Sequence, residues 1–245
     1  MNIRLVHFAS SAKQEAALAP NSLGVPGLLT SFVSLKSFLK HRHKYTFRDW
    51  VLDSGAYSAH TSGVVIDLAE YTATCKHLLE TDPTLSEVFA LDVIGDWRAS
   101  LRNTERMWAD GVPAIPCYHQ TEPDHVLIGL ARDFPKIAIG GIAHINAHKK
   151  REWAKQCFAR VWPKPIHGFG ISAEKTVMAL PWHSVDATTW TNPMRWGVSN
   201  VFGRIPTPTA SINLRVEVDY YLRLEARANQ RWKPEMRLLD DLMEV

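Results

Sequence analysis

Short apolar runs alternate along the chain with longer stretches of helical spacing, and four of these runs end in a polar or glycine cluster. The four are Val51–Ser58, Val88–Asp96, Ile137–His144 and His183–Trp190. Three of them deliver an aspartate just past the apolar residues, and the other delivers a Gly-Gly pair. Parallel α/β proteins, and barrels above all, place catalytic groups at the C-terminal ends of their strands in this way. The pattern therefore predicts an enzyme that works through carboxylates and backbone groups.

The spacing of apolar positions predicts eight strands that alternate with helices. The predicted strands are Ile3–Ala9, Trp50–Asp53, Val88–Val93, Ala114–Tyr118, Ile137–Ile139, Pro165–Phe169, Ser184–Val185 and Gly197–Phe202. The predicted helices are Leu28–Lys40, Leu68–Thr81, Asp96–Ala109, Pro123–Asp133, Ala147–Val161, Ala173–Leu180, Leu214–Ala228 and Leu239–Val245. This alternation favours a closed (β/α)8 TIM-type barrel over an open sheet. We expect one domain over residues 1–245, with C-terminal helices from about residue 214.

Length and composition agree with one globular barrel. The chain has 245 residues, of which 46% are hydrophobic and 22% are charged, and an α/β barrel commonly needs about 250 residues. The formal charge is only +3, so any affinity for nucleic acid would come from local patches. The N-terminus reads as a strand without a signal peptide, and no apolar stretch reaches the roughly 18 residues of a membrane span. We therefore expect a cytoplasmic protein without a membrane partner.

The three cysteines give no sign of a metal or disulfide framework. Cys75, Cys117 and Cys157 are scattered, and the sequence contains no CxxC motif, no Cys/His cluster and no HxxxH spacing. A structural zinc site needs such closely spaced ligands. A GxSxG nucleophile motif is also missing from the sequence. We therefore expect no metal, no cofactor and no serine-based nucleophile.

The aspartates at the ends of apolar runs are the candidate catalytic groups. A turn or a cap would explain Asp53 or Asp92 alone, and Asp96 is predicted to cap the helix that follows it. Asp186 is the most informative of the four, because no helical pattern directly behind it would need a cap.

Glycine and amide groups at other strand ends are suited to binding a flat ligand. Gly140 and Gly141 have no Cβ, so a ligand could approach the backbone closely, although a tight barrel turn needs the same residues. The segment Gly168–Gly170 repeats the pattern with an aromatic residue at its centre. Gln120 could hydrogen-bond a base edge through both amide atoms, whereas the neighbouring His119 is more typical of a loop histidine.

Basic and aromatic residues near these motifs are candidates for binding nucleic acid. Such groups are often ordinary solvated surface, but they are also what a protein presents to a phosphate backbone or to unpaired bases. The candidates are Lys40, Arg42 and Lys44, then Lys149, Lys150 and Arg151, and finally Trp190 and Arg195 in the loop after Asp186.

In this order, the motifs resemble those of the tRNA-guanine transglycosylase superfamily, whose members are (β/α)8 barrels. The resemblance spans roughly residues 50 to 200. The matching segments are Asp53-Ser54-Gly55-Ala56-Tyr57, Asp92, Gly140-Gly141-Ile142, Gly168-Phe169-Gly170 and Asp186. The family exchanges a guanine base for a 7-deazaguanine without a redox cofactor.

The resemblance implies a role for each matching residue. Asp186 would be the nucleophile that attacks C1′ of the target nucleotide, and Asp53 would be the general acid and base. Two residues, Tyr57 and His167, would sandwich the base. The remaining base-binding residues would be Asp92, Gln120, Gly140, Gly141, Ile142 and Gly168.

The chain departs from the tRNA enzymes in one informative respect. Those enzymes carry a CxCxxC…H zinc site near the C-terminus, and no cysteine follows Cys157 here. We therefore expect a barrel that lacks the zinc subdomain. It resembles the compact phage-type branch, which inserts 7-deazaguanine derivatives into DNA as protection against restriction. DNA and a 7-deazaguanine base are the expected partners, and a phage-encoded member would act in the host cytoplasm.

Three other functions are compatible with the same residues. The chain could act on tRNA with a reduced scaffold, or it could hydrolyse the glycosidic bond with water as the second acceptor. It could also be a non-catalytic barrel that binds nucleic acid, although the presence of both Asp53 and Asp186 argues against this. A shared fold does not decide among them.

Overall fold

Eight parallel strands form one sheet in the order β4-β3-β2-β1-β8-β7-β6-β5. The computed structural model describes residues 1–7, 11–19, 22–205 and 213–243, with side chains as far as residue 233. The strands are β1 (Asn2–His7), β2 (Gly27–Ser31), β3 (Trp50–Asp53), β4 (Leu85–Val88), β5 (Cys117–His119), β6 (Ile137–Gly140), β7 (Ile166–Gly168) and β8 (Ser184–Ala187).

Backbone hydrogen bonds just beyond β4 join the two ends of this strand order. The Ile115 N–H donates to the Val88 carbonyl and the Ala90 N–H donates to the Ile115 carbonyl, both at 2.9 Å. Each strand then lies beside its neighbours in chain order. This is the arrangement of a (β/α)8 TIM-like fold, and it confirms the predicted fold class.

Helices follow the strands and cover the outside of the sheet. They are α1 (Ala12–Ala17), α2 (Phe32–His41), α3 (Ala56–Ser62), α4 (Leu68–Thr81), α5 (Trp97–Ala109), α6 (Asp124–Asp133), α7 (Ala147–Val161), α8 (Glu174–Val177), α9 (Asn192–Trp196) and α10 (Arg215–Met243). The predicted bounds of α4 and α7 are confirmed. Asp96 caps α5 as predicted, because its carboxylate accepts the Ala99 N–H at 3.0 Å. None of the helices in the described ranges is long and apolar enough to cross a lipid bilayer.

Eight strands were predicted, but one of them was wrong, one was missed, and the strand predicted at Val88–Val93 lies at Leu85–Val88. The segment Gly197–Phe202 forms no barrel strand; it belongs to a small antiparallel hairpin of β9 (Val198–Ser199) and β10 (Gly203–Arg204). The missing strand is β2, which the prediction had placed inside the helix Leu28–Lys40. Periodicity alone cannot separate a short buried strand from a buried helical turn. Pairing with β1 on one side and β3 on the other decides the outcome.

The C-terminal region also differs from the prediction. Instead of separate helices over Leu214–Ala228 and Leu239–Val245, one helix, α10, runs from Arg215 to Met243. It crosses the N-terminal end of β1, where Glu225 accepts the Ile3 N–H at 2.5 Å and Asn229 accepts a hydrogen bond from the N-terminal amino group at 2.6 Å. The helix therefore fastens the start of the chain to the barrel.

Alternate residues along each strand point into the barrel and towards the helices. Trp50 and Leu52 on β3 belong to the large core between sheet and helices, whereas Val51 belongs to a smaller cluster with Phe89 and Ile115. Successive side chains of a strand point to opposite faces. Asp53 therefore points into the barrel interior, at its C-terminal end.

The side chains around Gly168 leave no room for a Cβ atom, so a substitution there can test how tightly the barrel is packed. A Cβ built on Gly168 would lie 2.6 Å from the ring of Trp182, a fully buried residue. We expect Gly168→Ala to lower the free energy of unfolding by about 1–3 kcal/mol through overpacking. Chemical denaturation measures this change.

Gly129 provides the matched control, because a Cβ at this position in α6 has nothing within 4 Å. Gly129→Ala should raise the free energy of unfolding by about 0.5–1 kcal/mol through helix propensity. Equal stability of the Gly168→Ala variant and the unaltered chain would contradict the packing argument.

Candidate active site

A cavity of about 390 Å³ opens at the C-terminal ends of the strands. Its walls come from the segments that follow β3, β4, β5, β6 and β7. The lining residues include Asp53, Tyr57, Asp92, Cys117, His119, Gly140, Gly141, Ile142, Phe169 and Gly170. This is the end of the fold at which barrel enzymes carry their active sites, so we take the cavity as the candidate active site.

Asp53 is held at the edge of this cavity by a tight turn. The Gly55 N–H donates to its carboxylate at 3.0 Å. Gly55 has φ of 76°, and a Cβ there would lie 3.1–3.2 Å from side-chain atoms of Val33 and Ser31, so the turn requires glycine. Burial, and then the negative charges of Asp92 and Asp186, raise the pKa of Asp53 to about 7. The group can therefore both donate and accept a proton near neutral pH.

His119, rather than Gln120, reaches the cavity. Its Nε2 lies 3.2 Å from Asp92 Oδ2, and its Nδ1 lies 3.2 Å from Glu122 Oε1. Burial by itself would lower the pKa of His119, but Cys117 and then the Asp92 and Glu122 carboxylates raise it well above its usual value. The pKa of Asp92 is also raised, because burial disfavours its charged form more strongly than the contact with His119 favours it.

The alternation of side chains along β5 explains why sequence analysis selected the wrong neighbour. Cys117 and His119 share the parity of Ile115, which belongs to the inner cluster, so all three point into the barrel. The side chain of Gln120 has the opposite parity and does not line the cavity. The parity of this run could have identified His119 from the sequence once the inward face of β5 was known.

Asp186 lies beneath the cavity rather than on its surface. The residue is 5% exposed, and its carboxylate accepts the Gly170 N–H at 2.7 Å. Gly170 itself lines the cavity, and its carbonyl accepts a hydrogen bond from Lys150 Nζ at 3.1 Å. Burial lowers the pKa of Lys150, and the charge of Asp186 partly offsets this. A lysine, a backbone turn and a carboxylate thus form one connected unit.

His167 and Gly168 are deeper in the barrel than the predicted base-binding roles require. His167 is fully buried, with Nδ1 2.8 Å from Ser184 Oγ and Nε2 3.7 Å from Asp186 Oδ1. Gly168 packs against Trp182, as described above. Neither lines the cavity, so His167 cannot stack on a ligand there. Phe169, the next residue along, does line it.

Tyr57, Gly140, Gly141 and Ile142 all line the cavity, where sequence analysis had placed them. Gly141 has φ of 72°, and a Cβ there would lie 3.0 Å from the His119 Cβ. The backbone therefore approaches β5 more closely than any other residue would allow. Tyr57 is 62% exposed and offers a flat ring at the entrance.

The two basic clusters lie at opposite ends of the barrel. Lys149, Lys150 and Arg151 begin α7 directly after the loop that lines the cavity. The run with Lys40, Arg42 and Lys44 begins in the last turn of α2 and precedes β3, so it lies at the N-terminal end of the strands. Arg42 pairs there with Asp82, and Lys44 pairs with Glu15. This second cluster does not flank the cavity.

The aromatic residue proposed from the loop after β8 is also not available to a ligand. Trp190 is fully buried, and its indole N–H donates to the Val6 carbonyl at 2.9 Å. Arg195 is exposed on α9. Trp196 beside it and Phe202 in the hairpin are each 69% exposed. Among the described residues of this region, these two rings are therefore accessible to a ligand, whereas that of Trp190 is not.

Asp53 should make folding stability depend on pH. In the unfolded chain it ionises near pH 4, whereas in the folded protein it keeps its proton until about pH 7. Stability from this group is therefore present at low pH and lost as the pH rises from about 4 through 7. We expect Asp53→Asn, which retains an acceptor for Gly55, to be more stable than the unaltered chain at pH 8. The gain should be on the order of 1 kcal/mol, or about 2–4 °C in Tm.

Thermal unfolding at pH 5 and pH 8 measures this difference, which should be smaller at pH 5. Asp67→Asn is the matched control, because Asp67 is an exposed cap of α4 and asparagine caps a helix equally well. A benefit of Asp53→Asn that does not change with pH would show that the charge of Asp53 is not destabilising.

A scan against protein-family models and a search of curated proteins found no match to this chain. The function must therefore be argued from the geometry of the cavity and its carboxyl groups.

Proposed function

We propose that this protein is a base-exchange transglycosylase that replaces guanine in DNA with a 7-deazaguanine derivative. The observation that carries the proposal is a pair of carboxyl groups, with Asp53 at the edge of the cavity and Asp186 buried beneath it. Burial and the negative charges of Asp92 and Asp186 raise the pKa of Asp53 to about 7. Asp186 is fixed by the Gly170 N–H. Two carboxyl groups in different surroundings are what a double displacement at a sugar carbon requires.

The first displacement removes guanine. A carboxylate oxygen of Asp186 attacks C1′, the C1′–N9 bond breaks, and the departing base takes the proton of Asp53. The oxocarbenium character that develops at C1′ is stabilised by the nearby carboxylate, which then forms a glycosyl ester. Asp186 is largely buried, so the sugar must descend to the level of the Gly170 turn.

The second displacement inserts the new base. The 7-deazaguanine gives its N9 proton to the Asp53 carboxylate, and N9 attacks C1′ as the ester bond to Asp186 breaks. Two inversions give overall retention at C1′, and the proton returns to Asp53. The two steps balance without an electron donor or acceptor. The carboxyl group of Asp53, with a pKa of about 7, suits both proton transfers.

The cavity walls are suited to a flat, polar base. The aromatic residues Tyr57 and Phe169 line it and offer rings for stacking. Asp92 and His119 offer polar groups to the base edge, and Gly141 and Ile142 offer the backbone. A base in a duplex must leave the stack to reach a barrel mouth. Trp196 and Phe202 are then available to stack on neighbouring unpaired nucleotides.

We propose DNA rather than tRNA as the substrate because the motifs resemble those of the zinc-free DNA branch and because no cysteine follows Cys157 in this sequence. The decisive assay compares labelled guanine release from DNA and from tRNA, with 7-cyano- or 7-aminomethyl-7-deazaguanine as the incoming base. Release from DNA that depends on the incoming base is expected. Release from tRNA alone would contradict the choice of polymer, and release without an incoming base would indicate a hydrolase. Release from neither polymer would favour a non-catalytic barrel.

Asp186→Asn should lower exchange by on the order of 10³-fold or more and abolish the covalent protein–nucleic acid adduct. Asp53→Asn should lower exchange by about 10²–10⁴-fold, because only proton transfer is removed. The unaltered chain should show a pH–rate profile that changes near pH 7, and Asp53→Asn should lack that change. Asp67→Asn is again the control. Undiminished adduct formation by Asp186→Asn would refute its role as nucleophile.

The two basic clusters should differ in their effect on nucleic-acid binding. Removing two charges at the cavity end with Lys149→Gln and Arg151→Gln should weaken DNA binding and lower its salt dependence. In a plot of the logarithm of the binding constant against the logarithm of the salt concentration, the magnitude of the slope should fall by about 1 for each phosphate that the protein no longer neutralises. The matched pair Lys40→Gln and Lys44→Gln removes the same charge at the opposite end and should have little effect. Fluorescence anisotropy over a salt series measures both, and a larger effect of the Lys40 and Lys44 pair would place the nucleic acid elsewhere.

A further inference from the structure

We infer that Asp92, Cys117 and His119 form a binding site for a divalent zinc ion in the wall of the cavity. One carboxylate oxygen, the thiol sulfur and a ring nitrogen all lie within 4.8 Å of one another. The three residues come from adjacent places in the fold, since Cys117 and His119 lie on β5 and Asp92 lies just after β4. All three line the cavity.

The spacing of the donor atoms suits a tetrahedral zinc ion. Zn–N and Zn–O bonds of about 2.0–2.1 Å at a tetrahedral angle place the nitrogen and oxygen about 3.3 Å apart. His119 Nε2 and Asp92 Oδ2 are separated by 3.2 Å. The separation of this nitrogen and this oxygen therefore matches two ligands of one zinc ion.

Glu122 orients the histidine as zinc sites require. Its Oε1 lies 3.2 Å from the ring nitrogen Nδ1 of His119. Its Oε2 accepts a hydrogen bond from the backbone N–H of His119 at 3.0 Å, and the backbone N–H of Glu122 donates to the His119 carbonyl at 2.9 Å. The Glu122 side chain is only 8% exposed. A carboxylate that holds one ring nitrogen of a histidine and leaves the other for the metal is a recurring outer contact of zinc ligands.

The types of ligand favour zinc over the harder cations. A thiolate, an imidazole and a carboxylate suit Zn²⁺, whereas Mg²⁺ and Ca²⁺ prefer oxygen ligands alone. Three protein ligands leave a fourth position open, as in catalytic zinc sites, and all three ligand residues line the cavity. Binding would release the protons of the Cys117 thiol and of His119 Nε2. The open position would accept water or a nitrogen or oxygen donor of a bound molecule.

This inference is independent of base exchange, because it requires only metal binding by the protein alone. If exchange also takes place, the ion would stand where Asp92 and His119 otherwise meet the base edge. Metal binding is measured without nucleic acid or an incoming base, so its outcome does not depend on whether exchange takes place.

The test is titration of the metal-free full chain with Co²⁺, which reports its ligands through its absorption spectrum. We expect one equivalent of Co²⁺ to give the visible bands of a tetrahedral site together with a sulfur-to-cobalt charge-transfer band, and Zn²⁺ to displace it. Cys117→Ser should lack the charge-transfer band. Cys157→Ser, which alters another buried thiol on α7, should keep it. Glu122→Gln should weaken metal binding about 10–100-fold.

X-ray absorption at the zinc edge of the unaltered chain provides a measurement that does not depend on variant folding. One sulfur together with nitrogen and oxygen neighbours is expected. Failure to bind Co²⁺ stoichiometrically, a charge-transfer band that persists in Cys117→Ser, or a zinc shell without sulfur would each overturn the assignment.

Discussion

The alternation of side chains along eight short parallel strands determines what reaches the mouth of this barrel. Each strand has only a few inward positions, and on β3 and β5 the last of them is occupied by a residue that lines the cavity. Val51 on β3 packs inside the barrel, so the next inward residue of that strand, Asp53, lies at the mouth of the barrel. The same rule places His167 on β7 one layer below Phe169, which follows that strand, and it separates His119 on β5 from Gln120, which comes after it. A shift of one residue in any strand would replace a functional group with one that faces the helices.

Charged groups at this mouth are held in a way that opposes stability. Asp53, Asp92 and Asp186 lie close enough for Asp92 and Asp186 to raise the pKa of Asp53. A fold selected for stability alone would not bury carboxyl groups of like charge together. The opposite end of the barrel differs, because Glu87 there contacts both Lys136 and His183 and its pKa is held well below the usual range. The charge of Glu87 is thus balanced by its partners, whereas the carboxylates near Asp53 raise its pKa, and a carboxyl group with a raised pKa in a cavity is typical of a functional site.

Much of the fold could be predicted from the sequence, because strong periodicity is a local property. The helices α4 and α7 have apolar spacing and polar caps within their own residues, so their bounds were predicted correctly. The segment Gly27–Ser31 could not be assigned this way, since its apolar run fits a strand and a helical turn equally well. Its two neighbours in the sheet decide its conformation, and they lie far from it along the chain.

The sequence by itself determined the fold class and most of the strand ends at which functional groups are concentrated, including Asp53, Asp92, Gly140 and Gly141. Only the tertiary structure decided which of the selected residues share the cavity. It buries Trp190, carries Lys40 and Lys44 to the far end of the barrel, and brings Cys117 and His119 beside Asp92. The physical reason is that depth in a barrel and the end at which a helix terminates are set by how the strands close, and no short stretch of sequence records that closure.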